Sequence, residues 1–250
     1  MSNKTLGVVL AVIIILAVGV WAGLRIHNNS SVKGTAETPA ANSAGQASPT
    51  NDQTNPPTSM NNSDCVRDFN SAKLQDKINL KNQFVTLSVK NFGDIKVQLY
   101  DQDAPKTVEN FLRLTHAGFY DCLTFHRVAK DFVIQGGDPN GDGTGGQSAF
   151  GKEFADELNP TTASFKTGYV PGVLAMANRG PNTNSSQFFI VLGDVNAQLP
   201  KSYTIFGKVV AGMDVVQKIG QVDINPGPFG PTDGTPKVPV VISKAVISDK

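Results

Sequence analysis

Short apolar runs separated by turn signals fill the chain from residue 84 onward, and they limit the possible folds more than any other feature. Residues 84–89 and 95–100 alternate apolar with mostly polar residues, and the segment 91–94 between them is a turn signal. This pair is therefore predicted to form a hairpin with one buried face. Further apolar runs are predicted to be strands, at residues 128–135, 173–177, 186–192, 203–210 and 238–247.

Only two segments have helical periodicity. In residues 103–114 the apolar side chains of Val108 and Phe111 recur at helical spacing, and Pro105 suits a first turn. Residues 213–219 are the second helix candidate. Many short strands, two helices and no regular alternation of strands with helices predict a mainly β protein, a closed antiparallel β-barrel whose helices cover its ends.

An uncharged apolar run begins at Leu6 and ends at Leu24. At about 1.5 Å per helical residue the run roughly covers a ~30 Å hydrocarbon core, and Trp21 near its end suits an interfacial anchor. A cleaved signal peptide is the alternative, although the run exceeds the ~7 to 15 apolar residues usual in such signals. Residues 1–27 are therefore expected to hold a transmembrane helix that makes this a single-pass membrane protein, with an orientation that the flanking charges leave open.

A polar segment follows at residues 28–63 and is rich in Asn, Ser, Thr, Pro, Ala, Gly and Gln. Such a composition cannot form a core, so the segment is predicted to be a disordered linker with a span of roughly 30 to 35 Å. Residues 64–250 are then one folded domain. The 22 basic and 21 acidic residues of the chain form no basic cluster, which argues against nucleic acid as a partner.

The chain has 2 cysteines, Cys65 at the edge of the linker and Cys122 near the start of the first motif described below. Two cysteines cannot make a structural zinc site by themselves. If the domain lies outside the cytoplasm, a disulfide between Cys65 and Cys122 would join the entry segment to the folded domain. Two free thiols are the alternative.

The glycine-rich segment 138–146 admits two ligand-binding interpretations, and neither is complete. Residues 138–143 match the first half of a calcium-binding loop, but Ala149 stands where a bidentate Glu is needed. Residues 141–146 fit a dinucleotide fingerprint, but no helix follows to receive a pyrophosphate. The segment is therefore predicted to be a compact loop that shapes one wall of a groove, and no metal or cofactor is expected.

Two motifs carry the candidate chemistry. In residues 125–138, Arg127 is a permanent cation with donors in a fixed fork, and the apolar Phe132 follows it. An arginine beside aromatics is, on its own, more often packed or ion-paired. His126 is expected to be a structural, hydrogen-bonded histidine, because no nucleophile or acidic partner accompanies it in the motif. Residues 173–190 join two apolar runs through a polar turn and bring a second pair of aromatics.

Together the two motifs resemble the cyclophilin family of peptidyl-prolyl cis-trans isomerases, and the likeness runs from about residue 84 to residue 247. The resemblance implies an eight-stranded barrel with two helices and a substrate groove on its outer surface. It implies that Arg127 is the catalytic residue and that Phe132 and Phe189 are the pocket aromatics. The positions that it implies bind substrate are Phe132, Val133, Gln135, Ala177, Asn178, Gln187, Phe189, Leu199 and Tyr203.

Three positions depart from the family pattern. Val133 stands where many members carry Met, and Tyr203 stands where many carry His. Gln198 falls near the position of a Trp that helps bind the drug cyclosporin. Weak sensitivity to this drug is therefore expected.

The resemblance implies an isomerase that binds X-Pro peptides in its groove and accelerates rotation about the prolyl bond. Together with the predicted anchor, it leads us to expect a monomeric enzyme whose catalytic domain lies on the extracytoplasmic side of a membrane. Its substrates would be proline-containing segments of unfolded or newly exported proteins, whose folding it assists. The alternative is a module that binds proline peptides without meaningful turnover, which Val133 and Tyr203 keep open.

Overall fold

The structure is a computed structural model, and it describes residues 65–81 and 83–248. The predicted transmembrane helix, which runs from Leu6 to Leu24, and the predicted linker of residues 28–63 lie outside the described residues. Within the described part of the chain, none of the helices has both the length and the apolar character that a membrane crossing requires.

The described residues form a mainly β fold in which ten strands belong to one antiparallel sheet. The order of neighbouring strands is β10-β1-β2-β7-β5-β6-β4-β3-β9-β8. The bounds are β1 Phe84–Val89, β2 Gly93–Leu99, β3 Thr124–Ala129, β4 Val133–Asp138, β5 Val173–Met176, β6 Phe188–Val191, β7 Ile205–Ala211, β8 Ile224–Gly227, β9 Gly230–Pro236 and β10 Ile242–Ser248.

The resemblance implied eight strands, whereas the sheet of the described residues has ten, and the apolar pattern gave no strand at β8 or β9. These two strands pair with each other as a hairpin, and β9 also pairs with β3. Proline and glycine are depleted in strands, and this hairpin contains several of both, so its sequence has no strand signal. Tertiary contact with β3 is what gives the segment its extended shape.

The predicted closure of the sheet into a barrel is not confirmed, since β10 and β8 stand at the two ends of the strand order. Hydrogen bonds do link the start of β3 to the segment that leads into β10. The backbone N–H of Phe125 donates to the carbonyl of Val240 at 2.9 Å, and the N–H of Ile242 donates to the carbonyl of Leu123 at 2.7 Å.

Three α-helices accompany the sheet in the described residues: α1 Pro105–His116, α2 Ala163–Thr167 and α3 Met213–Gly220. Helices α1 and α3 lie where the apolar periodicity predicted them. Helix α2 was missed because a helix of five residues is too short to show a period. A 3₁₀ turn at Ser71–Gln75 precedes the sheet.

Buried side chains on one face of the sheet form the main core together with α1 and α3. The ring of Phe111 on α1 lies 5.5 Å from that of Phe188 and 5.2 Å from that of Phe206, measured between centroids. The opposite face carries a smaller apolar cluster around Phe189. Because strand residues alternate between the two faces, one strand such as β6 supplies both layers.

A disulfide joins Cys65 to Cys122, with Cα atoms 5.7 Å apart, so the pairing considered from sequence is present. Neighbouring contacts hold the same entry segment. The ring of Phe69 lies edge-on to that of Phe119 at 5.3 Å, and the guanidinium of Arg67 donates to the carbonyl of Phe119 at 3.2 Å. The start of the described chain is thus fastened to the region that follows α1.

Candidate active site

Strand register brings the candidate catalytic residue and an aromatic of the second motif to one face of the sheet. Arg127 on β3 is opposite Gln135 on β4, and Gln135 is opposite Phe189 on β6. Residues directly opposite each other in an antiparallel ladder have their side chains on the same face. A cation, an amide and an aromatic ring therefore follow one another across three strands.

The prediction of a single strand at residues 128–135 was wrong, because β3 and β4 form a hairpin there. Ala129 pairs with Val133, and Asp131 between them has a φ of 60°, which turns the chain. Apolar residues on both sides of this short turn hid it from the periodicity. The hairpin is what places Arg127 beside Gln135.

The polar half of the site is a chain of hydrogen bonds between amide and guanidinium groups. Nη1 of Arg127 donates to Oε1 of Gln135 at 3.0 Å, and Nε2 of Gln135 donates to Oε1 of Gln187 at 2.9 Å. Nε2 of Gln187 then donates to the carbonyls of Gly143 and Gly145 at 3.0 and 2.7 Å. The glycine-rich loop thus shapes one wall of the site, as predicted.

A cavity of about 290 Å³ opens beside this network. Of the ten residues predicted as catalytic or substrate-binding, five line the cavity: Arg127, Gln135, Ala177, Asn178 and Gln187. The side chain of Asn178 donates to the carbonyl of Ser202 at 3.0 Å, which fixes this wall.

The other five predicted residues form the apolar half of the site: Phe132, Val133, Phe189, Leu199 and Tyr203. The rings of Phe189 and Tyr203 meet edge to face at 5.6 Å. Tyr169, which the sequence analysis did not single out, supports them: its hydroxyl donates to the carbonyl of Tyr203 at 2.9 Å and accepts from the N–H of Tyr203 at 3.0 Å. Ala177 belongs to this cluster and also lines the cavity, so the two halves adjoin.

The charge of Arg127 acts on this apolar half. Burial raises the pKa of the Tyr203 phenol, and the positive charge of Arg127 opposes that rise. Burial also raises the pKa of Tyr169 to about 12. Both phenols are therefore neutral near pH 7, and the guanidinium faces a surface that carries no ionised aromatic group.

The guanidinium of Arg127 is paired with Asp233 on β9, a residue that the sequence analysis did not identify. Nε donates to Oδ1 at 2.8 Å and Nη2 donates to Oδ2 at 2.6 Å. The ring of Phe229 lies 5.6 Å from Cζ of Arg127. An arginine has five N–H donors, and the described residues take three of them through Asp233 and Gln135. Two N–H groups stay available to a ligand.

His126 does not have the hydrogen bonds that the sequence analysis expected. It is the extra residue of a bulge, because Phe125 pairs with Gly136 and Arg127 pairs with Gln135. It is 6% exposed and lines the cavity, and neither ring nitrogen has a partner among the described residues. Bulges commonly re-aim side chains next to active sites, and this one turns Arg127 to the face opposite that of Phe125.

The free energy of unfolding is expected to fall below pH 6.5 because of His126. Burial lowers the pKa of its imidazole from the ordinary value of 6.5, and the carboxylate of Asp138 opposes part of this effect. The unfolded chain binds a proton below that pH before the folded chain does, so stability is full above it and is lost as the pH falls. Each unit of pKa difference corresponds to about 1.4 kcal/mol.

Urea unfolding at about pH 5 and about pH 7.5 measures the effect, with His126→Gln as the comparison variant. The variant should have a smaller difference in unfolding free energy between the two conditions. The exposed pair of His116 and Asp76 is present in both proteins and cancels. Equal pH dependence in the two proteins contradicts the prediction.

Comparison with known proteins points to one family. The profile described as "Cyclophilin type peptidyl-prolyl cis-trans isomerase/CLD" matches residues 84–247. The chain is 47% identical over 138 residues to peptidyl-prolyl cis-trans isomerase CYP18-2 of Arabidopsis thaliana, which covers 55% of this chain and 80% of that protein. It is 48% identical over 135 residues to peptidyl-prolyl cis-trans isomerase-like 1 of Homo sapiens, covering 54% of this chain and 78% of that protein.

Solved structures agree with the sequence comparison. A crystal structure of a cyclophilin type peptidyl-prolyl cis-trans isomerase from Cryptosporidium parvum matches with a TM-score of 0.58 at 35% identity, covering 68% of this chain and 99% of that one. A structure of the same protein in the presence of the dipeptide Ala-Pro matches with a TM-score of 0.57 at 35% identity, covering 67% of this chain and 99% of that one.

Proposed function

Because this chain belongs to the cyclophilin family and is a peptidyl-prolyl cis-trans isomerase, we propose that Arg127 is its catalytic residue and that the adjoining cavity and apolar cluster hold the X-Pro peptide. One observation carries the proposal. Arg127, Gln135 and Phe189 lie in register on one face of the sheet, and the guanidinium keeps two N–H donors beyond those taken by the described residues.

The mechanism follows from the chemistry of the peptide bond. Rotation about the C–N bond costs about 18 to 20 kcal/mol because the nitrogen shares its lone pair with the carbonyl. In the rotated transition state the prolyl nitrogen becomes pyramidal and more basic. A guanidinium N–H then binds that electron pair, while the ring of the proline rests against Phe132 and Phe189. No covalent step is required.

The apolar cluster and the polar cavity bind different parts of the substrate. The apolar cluster around Phe189 presents aromatic and aliphatic side chains to the ring of the proline, and the low polarity of this surface strengthens the electrostatic interaction beside it. The cavity lined by Gln135, Asn178 and Gln187 offers amide groups to the backbone that flanks the proline. Binding energy from this flanking backbone holds the substrate while the amide twists.

A second candidate function, binding of proline peptides without meaningful turnover, is favoured by one specific observation. The carboxylate of Asp233 already occupies one edge of the Arg127 guanidinium. Isomerisation of a proline-containing tetrapeptide by the full chain separates the two functions. A rate gain that rises with enzyme concentration supports catalysis, and measurable binding without a rate gain supports the module.

We also propose that residues 1–27 anchor the enzyme in a membrane, with residues 64–250 on the extracytoplasmic side, where the clients are newly exported or membrane proteins. The uncharged run from Leu6 to Leu24 supports an anchor. The Cys65–Cys122 disulfide supports an oxidising compartment, since disulfides are rare in reducing ones. Extraction of membranes at alkaline pH and protease protection in intact cells test both parts, and release into the soluble fraction contradicts the anchor.

The enzyme is proposed to act as a monomer, which light scattering of the detergent-solubilised chain measures directly. A scattering mass of twice the chain would contradict this part of the proposal. Proline peptides of unfolded proteins are then bound one at a time in one groove per chain.

Weak inhibition by cyclosporin is expected, because Gln198 stands near the position of the Trp that helps family members bind this drug. Gln198 is exposed and precedes Leu199 of the apolar cluster. The inhibition constant should fall in Gln198→Trp relative to the natural chain, measured by the same tetrapeptide assay. Inhibition of the natural chain at nanomolar drug contradicts the prediction.

A further inference from the structure

The β8–β9 hairpin brings an acidic side chain to the catalytic arginine from a distant part of the chain. Asp233 and Arg127 are 106 residues apart in sequence. On β9, Asp233 pairs with Ala129 of β3, and Gly234 pairs with Val128. The carboxylate therefore stands across the ladder from the strand that carries Arg127.

The contacts of the Arg127 guanidinium fix its orientation as well as balance its charge. Its Nε and Nη2 atoms each donate to one oxygen of Asp233, at 2.8 and 2.6 Å, and such two-point pairs fix the plane of the group. The ring of Phe229, at the turn of the hairpin, lies 5.6 Å from Cζ. Gln135 accepts from Nη1 at 3.0 Å. Three contacts thus define where the two remaining N–H groups point.

Backbone pairing makes the position of Asp233 rigid. The N–H of Lys130 donates to the carbonyl of Thr232 at 2.8 Å, next to the ladder pairs of β3 and β9. A Cβ atom added to Gly234 would lie 2.0 Å from the carbonyl oxygen of Asn225, so glycine at this position lets β8 pack closely on β9. The carboxylate of Asp233 therefore lies on a strand that is paired on both sides, and not in a loop.

We propose that Asp233 is a positioning residue for the isomerase reaction, one that aims the free N–H groups of Arg127 at the prolyl nitrogen. The inference rests on the proposed catalytic role of Arg127. An arginine side chain has several rotatable bonds, and at a half-buried position it samples many orientations without a partner. A small misplacement of a reacting group costs about 100-fold in rate.

The geometry favours positioning over competition with the substrate. The pair leaves two donors free among the contacts of the described residues, so a substrate can bind without displacing the carboxylate. The side chains are 20% exposed for Arg127 and 12% exposed for Asp233, so the pair is screened less by water than a pair on the open surface. If Asp233 blocked the site instead, its removal would raise turnover.

Asp233→Ala tests the proposal in the full chain. Its kcat for a proline tetrapeptide should fall about 10- to 100-fold, because the guanidinium of Arg127 is no longer held in one orientation. Its KM should change less than about 2-fold, because the residues that bind the peptide are unchanged. Asp233→Asn keeps one acceptor oxygen and the same shape, so its kcat should lie between those of the natural chain and Asp233→Ala. Asp214→Ala removes an exposed aspartate paired with Lys218 and is the matched control.

A double variant shows whether Asp233 acts through Arg127. Adding Asp233→Ala to Arg127→Ala should lower kcat no further, since there is no guanidinium left to aim. Near-ultraviolet circular dichroism reports folding of each variant, and Asp233→Asn carries the test if Asp233→Ala does not fold. Unchanged or higher kcat in the folded Asp233 variants overturns the proposal, as does an equal further loss in the Arg127→Ala background.

The failure of this inference differs from failure of the catalytic assignment. If Arg127→Ala is impaired and the Asp233 variants are not, only the positioning role is wrong. If Arg127→Ala turns over as fast as the natural chain, the catalytic assignment is wrong and the positioning role is overturned with it.

Discussion

Replacing Arg127 with alanine should lower kcat by two to three decades and leave peptide affinity nearly unchanged. An electrostatic donor aimed at charge that develops only in the transition state contributes roughly 3 to 4 kcal/mol. The prolyl nitrogen of the ground state is planar and a poor acceptor, so the guanidinium contributes little to binding. Stopped-flow or magnetisation-exchange rates give kcat, and calorimetric titration of a proline peptide gives the affinity.

A matched arginine is the control for this variant. Arg113 on α1 is 22% exposed and paired with Glu109, much as Arg127 is 20% exposed and paired with Asp233, but it does not line the cavity. Arg113→Ala should therefore keep kcat. Because Arg127→Ala leaves the carboxylate of Asp233 unpaired, Arg127→Ala/Asp233→Asn serves as a second form of the variant. Equal losses in turnover and binding would contradict the assigned role.

Removing the disulfide with Cys65→Ser/Cys122→Ser should lower the free energy of unfolding by about 2 to 4 kcal/mol. The bond links residues that are 57 apart, and a closed loop of this size removes much of the freedom of the unfolded chain. For a domain of this size the loss corresponds to a fall of roughly 5 to 15 °C in Tm. Calorimetry or thermal circular dichroism of the oxidised natural chain and of the double variant measures it.

Reduction supplies the control for the disulfide. A reductant should lower the Tm of the natural chain toward that of the double variant and leave the double variant unchanged. The contacts of Phe69 and Arg67 with Phe119 are present in both proteins, so they do not account for a difference. The same Tm with and without reductant in the natural chain contradicts the prediction.

Local sequence patterns were sufficient to predict the amphipathic strands and helices, which have one apolar face and one polar face. The hairpin of β1 and β2 and the helices α1 and α3 lie where alternation or helical periodicity placed them. One face of each element is buried against the main core. Burial of one face requires apolar residues at regular intervals, so the sequence shows a period. The hairpin of β3 and β4 was missed because apolar residues stand on both sides of its short turn.

The candidate site was predictable only in part. The motifs placed Arg127, Gln135 and Phe189 among the functional residues through resemblance to a family. Their register across three strands depends on a bulge at His126 and on a turn at Asp131, and neither leaves a periodic signal. The absence of hydrogen-bond partners for His126 among the described residues likewise depends on what surrounds it in space.

The amino-acid sequence by itself determined that this chain folds as a mainly β domain. It also identified an arginine and aromatic residues in two motifs of one isomerase family. Both features depend on residues close together in the sequence. Only the tertiary structure decided that Asp233 and Phe229 meet that arginine. Asp233 lies on β9 and Phe229 lies in the turn before it. Strand β9 is rich in proline and glycine and is extended because it pairs with β3 and β8. A contact across 106 residues is set by chain folding and not by any nearby pattern.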